Sequence, residues 1–264
     1  MPANIHVIAN QKGGVGKTTL AVNLAAVVHA VRETSFGPLR DPAEAGRHRP
    51  RDVESPTSEV LVASTDPQAS SVWWSERVAR QGGLPFDFTQ IADPRDLRRL
   101  RSGPYREVFV DTPGSLEDEA ILQAALDEAD DVVVPMPPEP LAFDPTARTV
   151  ERVIMPRGLP YRVVVNNWDP RDGTTDLQQT AQYIRQRRWP MANTVVRRYK
   201  LHTRASADGL VVTQYPKNRV AMEAREDFFR LALELGYGGS TAPHVGAGVP
   251  VAEDPAAAAG GVTR

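Results

Sequence analysis

Short apolar runs alternate along this chain with stretches in which apolar residues recur every three to four positions. Ile5 to Ala9, Val60 to Ala63, Val108 to Val110, Val132 to Val134 and Tyr161 to Val165 read as buried strands, with Phe86 to Ile91 a shorter one. Between them the spacing predicts helices over 17–31, 69–80, 93–102, 117–127, 142–155 and 174–188, and a last amphipathic helix over 220–235. Strands separated by helices of this length imply βαβ units. The expected fold is therefore α/β: a doubly wound, mostly parallel sheet with helices on both faces. Right-handed crossovers then bring the C-terminal ends of the strands to one edge. The polar groups 10–19, 64–68, 111–114 and 166–171 all follow apolar strands and should collect there.

Two stretches break the pattern. From 33 to 58 the chain turns to Pro, Arg, Gly, Ser and acidic residues, which predicts an exposed, mobile insertion, with Arg40, Arg47, Arg49 and Arg51 keeping it solvated. From Gly236 on, Gly, Ala and Pro dominate, so the domain is expected to span 1–236 and residues 237–264 to form a disordered tail. Trp73-Trp74 is expected to pack into the core.

Composition narrows the chemistry. A chain of 264 residues suits one α/β domain, and the absence of cysteine excludes disulfides, zinc–thiolate sites and iron–sulfur clusters. Met1-Pro2-Ala3-Asn4 leads straight into a strand without the layout of a secretory signal, and no apolar run is long enough to span a bilayer. The expectation is a soluble, cytoplasmic protein with no membrane partner. The net charge of −2 hides an asymmetry: residues 107–151 hold 12 acids against one arginine, whereas 180–230 hold 11 Lys/Arg against 4 Asp/Glu. A basic half suggests a polyanionic partner. Only four residues are lysine, and two of them, Lys12 and Lys17, share one loop.

That loop follows the first strand and opens a helix, where free N–H groups and the helix dipole favour anions. Gly13, Gly14 and Gly16 let the backbone wrap a phosphate, with Val15 between them. Lys17 is expected on the β- and γ-phosphates, Thr18 on Mg²⁺ and Thr19 on the α-phosphate, so ATP and Mg²⁺ are the expected cofactors. The plain phosphate-loop pattern would place its first glycine at Gln11; this loop instead carries a second lysine, Lys12.

Asn10-Gln11-Lys12-Gly13-Gly14-Val15-Gly16-Lys17-Thr18-Thr19 resembles the deviant Walker A motif of the ParA/MinD superfamily, and the resemblance extends in order to about residue 235. It implies a P-loop NTPase fold, ATP hydrolysis and a homodimer formed on ATP binding, in which Lys12 reaches the phosphates of the other subunit. A lysine acting within its own subunit is the alternative. Asp66-Pro67-Gln68 resembles the first switch, with Asp66 to orient and deprotonate water. Where the family often has a further acid, this chain has Ser64, so hydrolysis is expected to be slow without a partner. Asp111-Thr112-Pro113-Gly114 resembles the second switch, with Asp111 for Mg²⁺ and the Gly114 N–H for the γ-phosphate. Asn166 matches the base-recognising asparagine, with Asn167 as competitor.

Within the superfamily the favoured expectation is a DNA-partition ATPase. It would bind non-specific double-stranded DNA as the ATP dimer, be reset by a separate centromere-binding (ParB-type) protein, and associate with the nucleoid. Pro67-Gln68 and Val134-Pro135 are ParA-like, and Arg185, Arg187, Arg188, Arg197, Arg198, Lys200, Arg204, Lys217 and Arg219 are the candidate DNA contacts. No winged-helix or helix-turn-helix extension is evident. The alternatives are a ParA-like ATPase that positions a protein cargo or regulates another machine, and a MinD-like membrane-recruited ATPase, for which the 243–264 segment has poor composition.

Overall fold

The structure, a computed structural model, describes residues 2–36, 58–65, 83–114 and 119–239. Asp66, Pro67-Gln68, the expected helix 69–80, Trp73-Trp74, the arginines of the insertion and the chain from 240 lie outside the described residues.

Seven strands form a parallel sheet: β1 (Asn4–Ile8), β2 (Val60–Ser64), β3 (Asp87–Gln90), β4 (Glu107–Asp111), β5 (Asp131–Met136), β6 (Tyr161–Trp168) and β7 (Val196–Arg197), in the order β3-β2-β4-β1-β5-β6-β7. The central strand β1 pairs with β4 on one side and β5 on the other. The loop after it therefore leaves the sheet at a point where the connections part to opposite sides, the place where open α/β sheets bind ligands.

The alternation along the strands divides the core. Ile8, Val62, Phe109, Val133 and Val164 face helix α1 (Lys17–Phe36) and the C-terminal helix Arg219–Leu235, packing on Leu20, Leu24, Val28, Phe228 and Leu231. Val7, Val108, Val110, Val134 and Val165 face the opposite layer. That layer comprises α2 (Pro94–Leu97), α3 (Glu119–Asp127), α4 (Phe143–Arg148) and α5 (Thr175–Gln186). α6 (Lys200–Ala207) follows β7, and the C-terminal helix is α7.

Several boundaries differ from expectation. Helix α1 runs five residues beyond 31, so the expected insertion starts later than 33. Its last turns are held because the Arg32 guanidinium reaches Glu59 at 2.8 Å and Glu107 at 3.3 Å. At the other end of the expected insertion, Ser58 is buried and its hydroxyl lies 3.0 Å from His29 Nδ1. The expected helix 142–155 is four segments: a 3₁₀ turn at Pro140–Ala142, α4, a π-helical turn at Thr149–Ile154 and a 3₁₀ turn at Met155–Arg157. β7 and α6 have no counterpart in the sequence pattern. The expected tail boundary at 236 falls too early: Tyr237 is 6% exposed and donates a 2.5 Å hydrogen bond to Asp131.

Candidate functional site: a phosphate loop at the strand ends

The loop from Asn10 to Gly16 is held from beneath by buried side chains. Asn10 Nδ2 donates to the Pro135 carbonyl at 2.8 Å and to Thr146 Oγ1 at 2.9 Å, while its Oδ1 accepts from the Lys12 N–H. The Gln11 N–H donates to Thr149 Oγ1 at 3.0 Å. Thr146 and Thr149 are fully buried, and Thr149 opens the π-helical turn, a feature that recurs at functional sites. The glycine half of the loop is fixed by Asn166, whose Nδ2 donates to the Val15 carbonyl at 2.6 Å. Gly16 has φ +88°, and a Cβ there would sit 2.5 Å from that amide nitrogen. Only glycine satisfies both the dihedral and the clearance.

Asn166, expected at the base, is 2% exposed and props the loop through Nδ2, whereas its competitor Asn167, held at φ +64°, lines the cavity.

Lys17 is the first residue of α1. Its ammonium, in a side chain 7% exposed, turns back over the loop to the carbonyls of Asn10 at 2.9 Å and Lys12 at 3.2 Å. The Thr18 hydroxyl donates to Asp111 Oδ2 at 2.6 Å. The two oxygens expected to hold Mg²⁺ therefore meet at the end of β4, and hard oxygen donors suit that ion. Ser64 is paired in register with Asp111, and its buried Oγ has no hydrogen-bond partner among the described residues. A hydroxyl left in that state beside a carboxylate fits a neighbouring hydrated cation. Among the described residues no group of three or more His, Asp or Glu is arranged as a metal site, so an ion at Thr18 and Asp111 would draw its other ligands from phosphate and water. Gly114 lies against the loop: a Cβ there would meet Gly13 Cα and Lys17 Nζ, both at 3.0 Å.

These groups open onto a cavity of about 950 Å³, lined by Gly13, Gly14, Gly16, Lys17, Thr18 and Thr19 on one wall. The far wall comes from β6 and α6, with Asn167, Trp168, Asp169, Tyr199, His202 and Thr203. The size lies at the upper end of the roughly 300–1,000 Å³ common for small-molecule sites. His202 accepts from or donates to the Tyr215 hydroxyl at 3.0 Å, and burial pushes its pKa down to about 4, so the imidazole is neutral at pH 7. Asp169 stays ionised because Arg171, two residues on, bonds it through side chain and backbone. The sequence pattern singled out none of Thr146, Thr149, Tyr199, His202 or Thr203. Buried threonines and asparagines carry no periodic signal, and α6 is short, with Leu201 and Ala205 its core contacts.

The candidate DNA contacts separate into two groups. Arg197 is committed inside the domain: its guanidinium reaches Asp227, which is 5% exposed, at 2.7 Å, and it stacks at 5.5 Å from Tyr199. That internal pairing sets it apart from the other candidate contacts. Arg187 pairs with Glu151 and lies over Tyr183 and Trp189, and Arg219 pairs with Glu223 at 2.8 Å. Arg185, Arg188, Arg198, Lys200, Arg204 and Lys217 are exposed and form no ion pair among the described residues.

Comparison with known proteins agrees with this geometry. The description "CobQ/CobB/MinD/ParA nucleotide binding domain" matches residues 6–33, which hold the end of β1, the loop and most of α1. The chain is 37% identical over 232 residues to maintenance of carboxysome distribution protein A of Gloeobacter kilaueensis, covering 88% of this chain and 93% of that one. It is 31% identical over 209 residues to the chromosome partitioning protein ParA of Caulobacter vibrioides, covering 70% and 76%. The fold matches a chain of the MinC:MinD cell division protein complex of Aquifex aeolicus with a TM-score of 0.64 at 17% identity, over 91% and 98% of the two chains. No described helix is long and apolar enough to cross a membrane. With the loop, the second switch position and an extended identity in place, the chain belongs to the ParA/MinD family of nucleotide-binding ATPases.

Proposed function

We propose that this chain is a ParA-type ATPase that positions a protein cargo, with non-specific DNA as the surface on which its ATP-bound dimer rests. The observation that carries this reading is the identity of 37% over 88% of the chain to a carboxysome distribution protein. Partition of a plasmid or chromosome, the expectation favoured by sequence alone, becomes the second reading; the more distant likeness to a chromosome partitioning ParA supports it.

The chemistry proposed is the same for both. The loop N–H groups and Lys17 bind the β- and γ-phosphates of ATP, and Thr18 and Asp111 hold Mg²⁺, which supplies charge neutralisation at the phosphates. Lys17 exchanges its two backbone carbonyls for phosphate oxygens, so the ammonium is already aimed at the loop before nucleotide arrives. Gly114 brings the second switch within contact of Lys17, so a γ-phosphate is sensed by that segment directly. Asp66 orients and deprotonates water, and Lys12 offsets charge on the nucleotide of the other subunit. Ser64, an uncharged group beside Asp111, keeps the unstimulated rate low until a separate partner protein acts. Arg185, Arg188, Arg198, Lys200, Arg204 and Lys217 form the DNA surface, giving nucleoid association.

Two measurements test this. Binding to non-specific duplex DNA at low and moderate salt with ATP, ADP or no nucleotide, beside a Lys17→Ala control, reads the DNA step. Removal of the chain from its host reads the cargo. Clustering of a protein compartment with normal DNA inheritance is expected; normal compartment spacing with loss of plasmid or chromosome would overturn the cargo reading in favour of partition.

A further inference from the structure

The Lys12 ammonium lies 2.7 Å from Glu139 Oε1, within the same chain. Both ends of this pair rest on backbone that is tied down. Lys12 is fixed through its N–H to Asn10 Oδ1, and Asn10 is bonded in turn to the carbonyl of Pro135 at the end of β5. Glu139 belongs to Pro137-Pro138-Glu139-Pro140, directly after β5. Three prolines restrict that segment, the Glu139 N–H donates to the Pro137 carbonyl at 2.8 Å, and the Glu139 carbonyl accepts from Ala142 at 2.9 Å. The loop and the β5–α4 segment are therefore built against each other, and the ion pair spans them.

Glu139 also lines the nucleotide cavity, so its carboxylate stands where polyphosphate charge enters. The two side chains are 24% and 48% exposed. Exposed pairs of this kind are weak, and a triphosphate carries several charges against one carboxylate. Lys12 is thus held, but held by a partner that phosphate readily displaces.

We infer that Glu139 is a positioning residue for Lys12: it keeps the ammonium over its own loop while the chain is free, and yields it to the nucleotide of a second copy when the ATP dimer forms. This inference rests on the reading of Lys12 as the lysine that crosses the dimer. The exchange makes dimerisation cost one ion pair per subunit, so Glu139 sets the protein concentration at which ATP assembles the pair. It also spares the free chain an unpaired cation at the cavity mouth.

Light scattering of the full chain with ATP, across a range of protein concentrations, tests this with three variants. Glu139→Gln is expected to lower the concentration for half-maximal dimerisation about two- to thirtyfold, the range of two exposed ion pairs per dimer. Glu139→Asp keeps the charge but withdraws the carboxylate by one methylene, and is expected to behave like Glu139→Gln. Lys12→Ala is expected to lose dimerisation. If Glu139→Asp behaves like the parent while Glu139→Gln shifts, the carboxylate acts by plain repulsion of phosphate and the inference falls. If neither Glu139 variant shifts while Lys12→Ala fails to dimerise, the inference falls and the crossing role of Lys12 stands. If Lys12→Ala dimerises like the parent, the crossing role itself is lost.

Discussion

The two edges of one sheet carry two polar clusters, and they are built on opposite terms. At the edge away from the nucleotide cavity, His6 is enclosed between Asp131 at 2.8 Å and Glu107 at 3.0 Å, Tyr237 bonds Asp131, and Arg32 bonds Glu107. Charged partners answer one another there, and His6 does not line the nucleotide cavity. At the loop edge, Lys17 rests on carbonyls, Thr18 on a carboxylate oxygen and Lys12 on an exposed glutamate. Each of those contacts has a better partner in a polyphosphate with its cation. Burial of charge alone does not mark a functional site; burial of charge with exchangeable partners beside a cavity does.

The largest test of that contrast is His6→Phe. It takes the cation from Asp131 and leaves Glu107 to Arg32 alone, and breaking a buried pair in this way costs about 3–5 kcal/mol, so the melting temperature should fall steeply while ATP affinity of the folded fraction is kept. Burial alone would lower the His6 pKa, but the Asp131 and Glu107 carboxylates outweigh it and raise it to about 10. A base with a raised folded pKa stabilises fully below its unfolded value near 6.5. Thermal melts should therefore lose stability as pH climbs from about 7 through 10, and His6→Phe should flatten that slope. A parent protein with level stability across that window would break the contrast.

Lys17→Ala should do the reverse. Loss of a preorganised donor to the phosphates should cut ATP turnover by roughly 10²–10³ with little change in melting temperature. Next in size is the loop prop. Asn166→Ala leaves the buried Val15 carbonyl unpaired, for about 1–3 kcal/mol of stability, and should weaken nucleotide binding in parallel; calorimetry with ADP reads both. Gly16→Ala should be worse for binding, and combining it with Asn166→Ala should recover part of the loss, because the 2.5 Å clash goes while the positive φ remains. The smallest effect separates the arginines. Arg188→Ala should reduce the salt slope of DNA binding by about one with an unchanged melting temperature, whereas Arg197→Ala should lower the melting temperature instead.

Legibility in the sequence follows the same division. The phosphate loop was readable because wrapping an anion demands glycines and a lysine in consecutive positions, and the parallel sheet because its strands are continuous apolar runs. The choice between Asn166 and Asn167 was not readable. Strand alternation would place neighbours on opposite faces, but the positive φ of Asn167 ends that alternation just where it matters. Helix α6 escaped because Lys-Leu-His-Thr-Arg-Ala-Ser-Ala offers no apolar stripe, and β7 because two residues carry no period. The basic stretch of 180–230 could not reveal that Arg197 is answered by Asp227, thirty residues later, on α7.

Tyr237 has a practical bearing on how this protein can be watched at work. Its ring is wedged against His6 and Phe109, with centroids 4.0 and 5.6 Å away, and it follows the end of α7 by two residues. The backbone therefore departs from the side of the sheet remote from the ATP cavity. A fluorophore or affinity handle joined directly after residue 239 starts from that remote side, and its linker should leave Tyr237 in its seat.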